Sequence, residues 1–181
     1  LINLSNDYEI GKKLFDEMLA RGLKPTNRTY GTLINLSDKF EKGKKLFNEM
    51  ISKGIEADNA TYGTLINLSG KFERGKKLFD EMISKGIIPD NVTYGTLINL
   101  AGKFEEGKEL FDEMIANGIA PDNATYGTLT KLSGNYNLGK HLFDEMVNKK
   151  IKPNNITYTL LISLSKDFNI GKSLLNEMIE N

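Results

Sequence analysis

Apolar residues along the chain follow a helical spacing that stops and resumes at regular intervals. Over 59–69, tyrosine, leucine and isoleucine side chains recur every three to four residues and predict an amphipathic helix. Gly70 interrupts this pattern, and a second apolar face begins at Phe72 and continues towards Gly86. The stretch therefore predicts two helices joined by a short turn, with no strand-like alternation between them.

Residues that begin and end helices stand at both ends of this predicted hairpin. Asp58 or Asn59 can cap the free N–H groups at the start of the first helix. Gly86 suits the left-handed turn that ends the second helix, and Pro89 prevents that helix from continuing. Gly75 lies on the apolar face of the second helix, where its missing side chain predicts the close approach of a neighbouring helix.

The same hairpin recurs along the chain with a period of 32 residues. A Thr-Tyr pair marks each first helix, and a Glu-Met pair marks each second helix. The Thr-Tyr pairs begin at Thr29, Thr61, Thr93, Thr125 and Thr157. Division ahead of each first helix gives the complete repeats 27–58, 59–90, 91–122 and 123–154, with partial repeats at 1–26 and 155–181. We expect the whole chain, 1–181, to form a single repeat array.

Stacking of neighbouring repeats is required because a hairpin of this size cannot bury its own apolar face. Four complete repeats exceed the three or so that such arrays usually need for stability. The sequence therefore predicts an all-α fold, an α-solenoid of stacked helix-turn-helix repeats.

Charged residues on the second helix lie away from its predicted apolar face. Lys77 and Glu81 are opposite that face and are predicted to be solvated. A lysine near the start of each second helix, such as Lys76, has an acid four residues later in most repeats. This spacing fits either a surface ion pair or a lysine that contacts phosphate.

The composition narrows the choice of function. The 24 basic and 24 acidic residues cancel, which argues against binding to nucleic acid or membrane by bulk electrostatics. No cysteine is present, so disulfides, thiolate metal sites and cysteine nucleophiles are excluded. The apolar runs are too short to span a membrane. Because the chain opens on Leu1, we expect it to be a fragment or a processed chain.

Three signatures in each repeat resemble the pentatricopeptide repeat. In 91–122 they are V-T-Y-x-T-L-I in the first helix, L-F-x-E-M in the second helix, and G-I-x-P-D at the end. The resemblance extends over the whole chain. The repeat is slightly shorter than is usual in the family, with the loss at the end of the first helix. Glycine also stands at the fifth position, where the family more often has Asn, Thr or Ser.

The resemblance implies a right-handed superhelix that binds single-stranded RNA, about one base per repeat. It implies that the fifth and last residues of each repeat select the base and that the second residue packs against it. The fifth and last residues form the pairs Gly31 with Asp58, Gly63 with Asp90, Gly95 with Asp122, and Gly127 with Asn154. The second-position residues are Arg28, Ala60, Val92, Ala124 and Ile156. Thr159 is a further fifth residue, and Thr26 is a further last residue.

The chemistry of the last residues predicts which bases they select. A carboxylate only accepts hydrogen bonds, so the aspartates suit the ring N–H of uracil or guanine. Asn154 can also donate, which suits cytosine or adenine. Glycine at the fifth position predicts a weak choice between purine and pyrimidine. Asn35, Asn67 and Asn99 lie one turn later on the same face and can reach a base or the backbone, and Lys131 takes this place in the fourth complete repeat.

Each of these residues also has a structural interpretation. The last-position aspartates can serve as N-caps of the following helix, and a cap can also select a base. The fifth-position glycines can be sites of close packing between first helices. The asparagines one turn later can be solvated.

Two classes of function remain open. One is sequence-selective binding of single-stranded RNA, and the other is a scaffold for protein partners with the same architecture. No nucleophile and base set, metal-ligand spacing or phosphate loop is present, so we expect neither catalysis nor a cofactor. The family resemblance suggests a mitochondrial or plastid location and a role in RNA processing, stability or translation.

Overall fold

The computed structural model describes residues 7–180, which form eleven α-helices and no strands. The six helices of the second type are α1 (Tyr8–Ala20), α3 (Phe40–Ser52), α5 (Phe72–Ser84), α7 (Phe104–Ala116), α9 (Tyr136–Asn148) and α11 (Phe168–Glu180). The five first helices are α2 (Asn27–Leu36), α4 (Asn59–Ser69), α6 (Asn91–Leu100), α8 (Asn123–Ser133) and α10 (Asn155–Ser165). The prediction of an all-α fold built from helical hairpins is therefore confirmed.

The chain divides into two compact units, Leu1–Thr96 and Leu97–Asn181, and each is described by itself. Within the first unit α2 packs against α3 and α4, and within the second α8 packs against α9 and α10. Repeats therefore stack on their neighbours inside each unit, as predicted. One continuous array over 1–181 and a right-handed superhelix stay predictions.

The predicted helix boundaries at the second complete repeat are confirmed. Asp58 is the N-cap of α4, and the helix ends at Ser69, followed by Gly70 with a φ of 61°. Gly86 has a φ of 77°, the left-handed conformation expected after the second helix. Its equivalent in the fourth complete repeat is Lys150, which has the same conformation with a φ of 60°.

One tyrosine of each first helix joins that helix to the hairpin before it. Within the first unit the ring of Tyr62 is fully buried and meets Phe47 of α3 edge to face, with centroids 5.1 Å apart. Within the second unit Tyr126 meets Phe111 of α7 in the same way at 5.1 Å. Such aromatic pairs add about 0.5–1.5 kcal/mol to the gain from burial alone. The core between repeats is thus apolar, and its aromatic rings also adopt the same edge-to-face arrangement in both units.

The prediction that Glu81 is solvated is wrong. Its carboxylate is half-buried, accepts a hydrogen bond from the Tyr62 hydroxyl at 3.1 Å and pairs with Lys85 at 2.8 Å. Lys44 of the preceding repeat also lies 3.5 Å from this carboxylate. Burial alone would raise the pKa of Glu81, but Lys85 and Lys44 hold it below its usual value. Lys77 is exposed, as predicted.

The hydrogen bond between tyrosine and glutamate recurs in several hairpins. Tyr30 donates to Glu49 at 2.8 Å, and Tyr126 donates to Glu145 at 3.0 Å. Each bond joins the first helix of a repeat to the second helix of the same repeat. The tyrosine therefore links three helices. It belongs to a first helix, its ring packs on the preceding second helix, and its hydroxyl bonds to the second helix of its own repeat.

The glycine on the apolar face of the second helix is a packing site, as predicted. A side-chain carbon placed on Gly107 would lie 2.9 Å from Leu132 of the following first helix, and one on Gly139 would lie 3.0 Å from Leu164. A carbon on Gly43 would collide with Leu68 in the same manner. The missing side chain of each of these glycines thus leaves room for a leucine side chain of the next repeat.

Two glycines one helix apart give a matched test of this packing. We expect Gly43→Ala to lower the denaturant midpoint, because the added carbon collides with Leu68. We expect Gly31→Ala to raise the free energy of unfolding by up to ~1 kcal/mol, because the helix gains propensity and no atom lies within 4 Å of the new carbon. Urea unfolding of the two variants measures both effects, and equal shifts would contradict the distinction.

A buried hydroxyl in the second unit weakens its core. Thr130 is fully buried, and its Oγ1 has no hydrogen-bond partner among residues 7–180. Isoleucine occupies the equivalent positions at Ile34, Ile66 and Ile98. We expect Thr130→Ile to raise the free energy of unfolding by about 1–2 kcal/mol, because it removes an unpaired buried polar atom. Urea unfolding measures the gain, and the reverse change Ile66→Thr should cost a comparable amount.

Candidate nucleic-acid interface

About half of the residues predicted to select bases line two open depressions between neighbouring first helices. In the first unit, a depression of about 760 Å³ between α2 and α4 is lined by Arg28, Gly31, Asn35, Asp58 and Ala60, with threonines of both helices. These residues come from the second, fifth, ninth and last positions of the repeat. The fold therefore brings together side chains that are as far as 32 residues apart in the sequence.

A second depression, of about 580 Å³, lies between α8 and α10 in the second unit. It is lined by the equivalent residues Ala124, Gly127, Lys131, Asn154 and Ile156, together with Asp122, Asn123 and Leu160. Ile156 is 67% exposed, so it presents an apolar surface to solvent at the second position. In the first depression Ala60 takes the place of Ile156, and Arg28 takes the place of Ala124, so the two sites are chemically different.

The remaining predicted residues occupy equivalent positions on the first helices. Asp90, Asp122, Asn67 and Asn99 are exposed, and Val92 is 71% exposed. Gly63 is buried and Gly95 is half-buried. Thr159 is exposed, but its hydroxyl donates to the backbone carbonyl of Asn155 at 2.7 Å and so folds back on α10.

The alternative that the fifth-position glycines are close-packing sites is wrong for Gly31, Gly63 and Gly127. A carbon placed on Gly31 would have no neighbour within 4 Å. On Gly63 it would lie 3.8 Å from Thr93, and on Gly127 it would lie 3.7 Å from Leu160, which are ordinary contacts. Gly31 faces open space, while Gly63 and Gly127 are buried but have room for a side-chain carbon.

The last residue of each repeat does serve as an N-cap. Oδ1 of Asp90 accepts hydrogen bonds from the backbone N–H and the hydroxyl of Thr93, both at 2.8 Å. Oδ1 of Asp122 makes the same two bonds with Thr125 at 2.9 Å. The other carboxylate oxygen takes no part in these bonds. Capping therefore occupies one terminal atom of the side chain and not the other.

Asn154 caps α10 with the same atom. Its Oδ1 accepts from the Thr157 backbone N–H at 3.0 Å and from the Thr157 hydroxyl at 3.1 Å. Its Nδ2 group takes no part in either bond. Aspartate and asparagine therefore cap in one way but differ in the second terminal atom, which accepts a hydrogen bond in Asp and donates one in Asn.

Asp58 has one additional partner. Burial would raise the pKa of its carboxyl, but hydrogen bonds from the Thr61 backbone and hydroxyl and from the Asn27 side chain outweigh it. The pKa of Asp58 therefore lies below its usual value. Its carboxylate stays charged at neutral pH, as hydrogen-bond acceptance from a base requires.

An asparagine at the first position of the repeat was missed by the sequence analysis as a contact between repeats. Asn59 was considered only as a cap of its own helix, yet its side chain bonds to the loop before α6. Asn123 makes the same contacts to the loop before α10. The sequence did contain a signal for this role. Asp58 and Asn59 are both capping residue types at one helix start, and since Asp58 alone provides the cap, Asn59 is available for another contact.

Five of the six recurrent lysines at the start of the second helices are engaged in ion pairs. Lys76 lies 2.5 Å from Asp80 and Lys108 lies 2.5 Å from Asp112. Lys12 and Lys140 pair in the same way with the acids four residues later. The surface-pair interpretation fits these lysines, while Arg28 and Lys131 provide the positive charge within the two depressions.

Two other kinds of feature are absent from the part of the chain that the structure describes. Within 7–180, no group of three or more His, Cys, Asp or Glu residues is arranged to hold a metal ion. Among the same residues, no helix has the length and apolar character needed to cross a bilayer.

The hairpins stacked within each unit define an α-helical repeat protein with depressions between neighbouring first helices. Three models of the pentatricopeptide repeat family match the chain: the pentatricopeptide repeat domain at 109–167, the PPR repeat family at 69–101, and the PPR repeat at 28–55 and 92–119. The chain belongs to the pentatricopeptide repeat family.

Solved structures of this family are similar to the chain. PPR10 in complex with an 18-nt psaJ RNA element is 26% identical, with a TM-score of 0.66, over 96% of this chain and 31% of that one. PPR10 from maize has a TM-score of 0.73 at 26% identity and is covered over 27% of its length. The chain thus spans less than a third of PPR10. Among curated proteins, none matches the sequence significantly.

A more distant structure supports the fold alone. The PPR domain of Arabidopsis thaliana protein-only RNase P 1, in complex with tRNA, is 17% identical with a TM-score of 0.64. It is covered over 90% of its length by 97% of this chain.

Proposed function

We propose that this chain binds single-stranded RNA in a sequence-selective manner, about one nucleotide per repeat, along the depressions between its first helices. PPR10, at 26% identity, is described in complex with an RNA element, which supports this assignment. The observation that carries it is the geometry of the last residue. Its cap uses Oδ1 only, so the second terminal atom is free of the cap, and Asp58, Asp122 and Asn154 line the depressions where a base would lie.

The proposed base preferences follow from this second atom. At Asp58, Asp90 and Asp122 an oxygen accepts the ring N–H of uracil or guanine. At Asn154 the amide donates to the ring nitrogen of cytosine or adenine. The open space at Gly31 and Gly127 supplies no side-chain bond, so discrimination between purine and pyrimidine is weak. The chain acts as a binder without a catalytic step of its own.

The setting of this activity is proposed on family resemblance alone. It is organellar RNA processing, stability or translation, in mitochondria or plastids. The rival function is a scaffold for protein partners, which the zero net charge favours. The two functions differ in their response to RNA sequence, because only a base-selecting site is sensitive to the exchange of one terminal atom.

Exchange of Asp90 separates capping from base selection. Asp90→Asn keeps the cap, so we expect an unchanged urea midpoint together with a shift of preference from U or G to C or A at one nucleotide. Asp90→Ala removes the cap, and we expect a loss of about 1 kcal/mol in the free energy of unfolding. Fluorescence anisotropy with short RNAs that differ at single positions measures the preference.

The outcomes of this experiment discriminate between the two functions. Absence of RNA binding by the unchanged protein at low salt would contradict the proposed function and favour the scaffold. Binding that is indifferent to Asp90→Asn would contradict base selection by the last residue while leaving general RNA binding intact.

Lys131 is expected to contact a phosphate next to the depression between α8 and α10. Each phosphate contact on a single strand contributes about −0.7 to the slope of log K against log salt. We therefore expect Lys131→Asn to make the slope shallower by about 0.7, and Asn67→Lys, at the equivalent position, to make it steeper by about 0.7. Both changes should affect all RNA sequences alike.

The matched control for Lys131 is Lys77→Asn, because Lys77 is exposed on a second helix. This variant should leave the salt slope unchanged. An effect of Lys77→Asn equal to that of Lys131→Asn would show that the slope reports overall charge and not a contact at the depression.

A further inference from the structure

The first-position asparagine of one repeat holds the loop that carries the last residue of the same repeat, which caps the next first helix. Asn59 Nδ2 donates to the backbone carbonyl of Ile88 at 2.8 Å. Asn59 Oδ1 accepts from the backbone N–H of Asp90 at 3.2 Å and from the Thr93 hydroxyl at 3.1 Å. One carboxamide thus bonds to the backbone on both sides of Pro89.

The same arrangement recurs independently in the second unit. Asn123 Nδ2 donates to the carbonyl of Lys152 at 3.0 Å, and its Oδ1 accepts from the Asn154 N–H at 3.1 Å. The Thr157 hydroxyl also lies 3.3 Å from Asn123 Oδ1. Pro153 stands between the two bonded backbone groups, as Pro89 does in the first unit.

These bonds act on the backbone of the last residue and not on its side chain. Asn59 bonds to the N–H of Asp90, while the Asp90 carboxylate caps α6 through Oδ1. Two constraints therefore meet at Asp90, one on its backbone and one on a single carboxylate oxygen. Together they fix the direction of the remaining oxygen, which is the atom proposed to meet the base.

We propose that Asn59 and Asn123 are positioning residues for base selection by Asp90 and Asn154. This inference rests on the proposed function. Neither asparagine contacts the base through the bonds described. Each determines how sharply the last residue discriminates by fixing the backbone from which that residue projects. The selectivity of a nucleotide then depends on three residues of the repeat and not on the fifth and last alone.

The junction at Asp58 provides a contrast within the same chain. Ala57 replaces the proline there, and Asn27 Oδ1 accepts a hydrogen bond from the Thr61 hydroxyl at 2.5 Å. Among residues 7–180, Asn27 makes no hydrogen bond to the backbone of the loop before α4, so the backbone of Asp58 lacks the constraint that Asn59 places on Asp90. Asp58 should therefore discriminate less well than Asp90, although both are aspartates at the last position.

The test is the ratio of affinities for RNAs that carry U or C at a single nucleotide. The nucleotide that faces Asp90 is the one whose preference changes in Asp90→Asn, and Asp58→Asn identifies the other. In Asn59→Leu, which keeps the size and removes the bonds, we expect the ratio at the Asp90 nucleotide to fall by about 3- to 10-fold. The ratio at the Asp58 nucleotide should not change.

A second variant and a control keep the test independent of folding. Asn59→Asp keeps the accepting oxygen and suits the start of a helix, so it should fold and give a smaller loss of discrimination. Asn155→Leu changes the equivalent residue of α10, after whose hairpin no further loop lies within the described residues. This control should leave both ratios unchanged.

The outcomes separate this inference from the proposed function. Unchanged ratios with a lower thermal midpoint would overturn the inference and leave Asn59 as a purely structural contact. An equal fall of both ratios in Asn59→Leu would also overturn it, because the effect would be global. Absence of RNA binding by the unchanged protein would overturn the proposed function itself.

Discussion

The structure depends on the buried tyrosine of each first helix. Its ring packs edge to face on a phenylalanine of the preceding second helix, at 5.0 Å for Phe79 and Tyr94 and at 5.2 Å for Phe15 and Tyr30. Its hydroxyl bonds to a glutamate of the second helix that follows, as in Tyr158 with Glu177 at 3.0 Å. A buried hydroxyl without this partner would be costly, so the glutamate has to turn inwards. One side chain thereby sets both the contact between repeats and the contact within a repeat.

This division of the core leaves the opposite face of the first helix free of packing constraints. The tyrosine and the glycine of the second helix secure the stacking, and the ninth and last positions remain exposed. Arg28 and Ile156 can therefore occupy the same position in different repeats without a change in the hairpin. A surface whose residues vary while the backbone stays regular is suited to recognise a polymer with one unit per repeat.

Much of the fold could be predicted because its determinants are local in the sequence. The helix at Asn59–Ser69 and the left-handed Gly86 follow from spacing and capping chemistry, and Gly75 marked a position where close packing is confirmed at its equivalents. The errors involve partners that are distant in sequence. Glu81 was assigned to solvent because its position on a helical wheel does not reveal Tyr62, 19 residues away. Asn59 was taken for a cap because its partners lie about 30 residues further along.

The requirement for an N-cap limits which residues are available at the last position for the proposed selection of a base. The cap needs a short side chain with an accepting oxygen, and the junctions of this chain use Thr26, Asp58, Asp90, Asp122 and Asn154. Asp and Asn satisfy the cap with one atom and keep a second polar atom. The only polar group of the Thr26 side chain, its hydroxyl, accepts the bond from the Thr29 backbone N–H, and the other group on its β-carbon is a methyl. A junction capped by threonine can therefore be as stable as the others while it offers no polar atom to a base. A last residue can therefore both cap the helix and contact a base only when its side chain has two terminal polar atoms, one for each role.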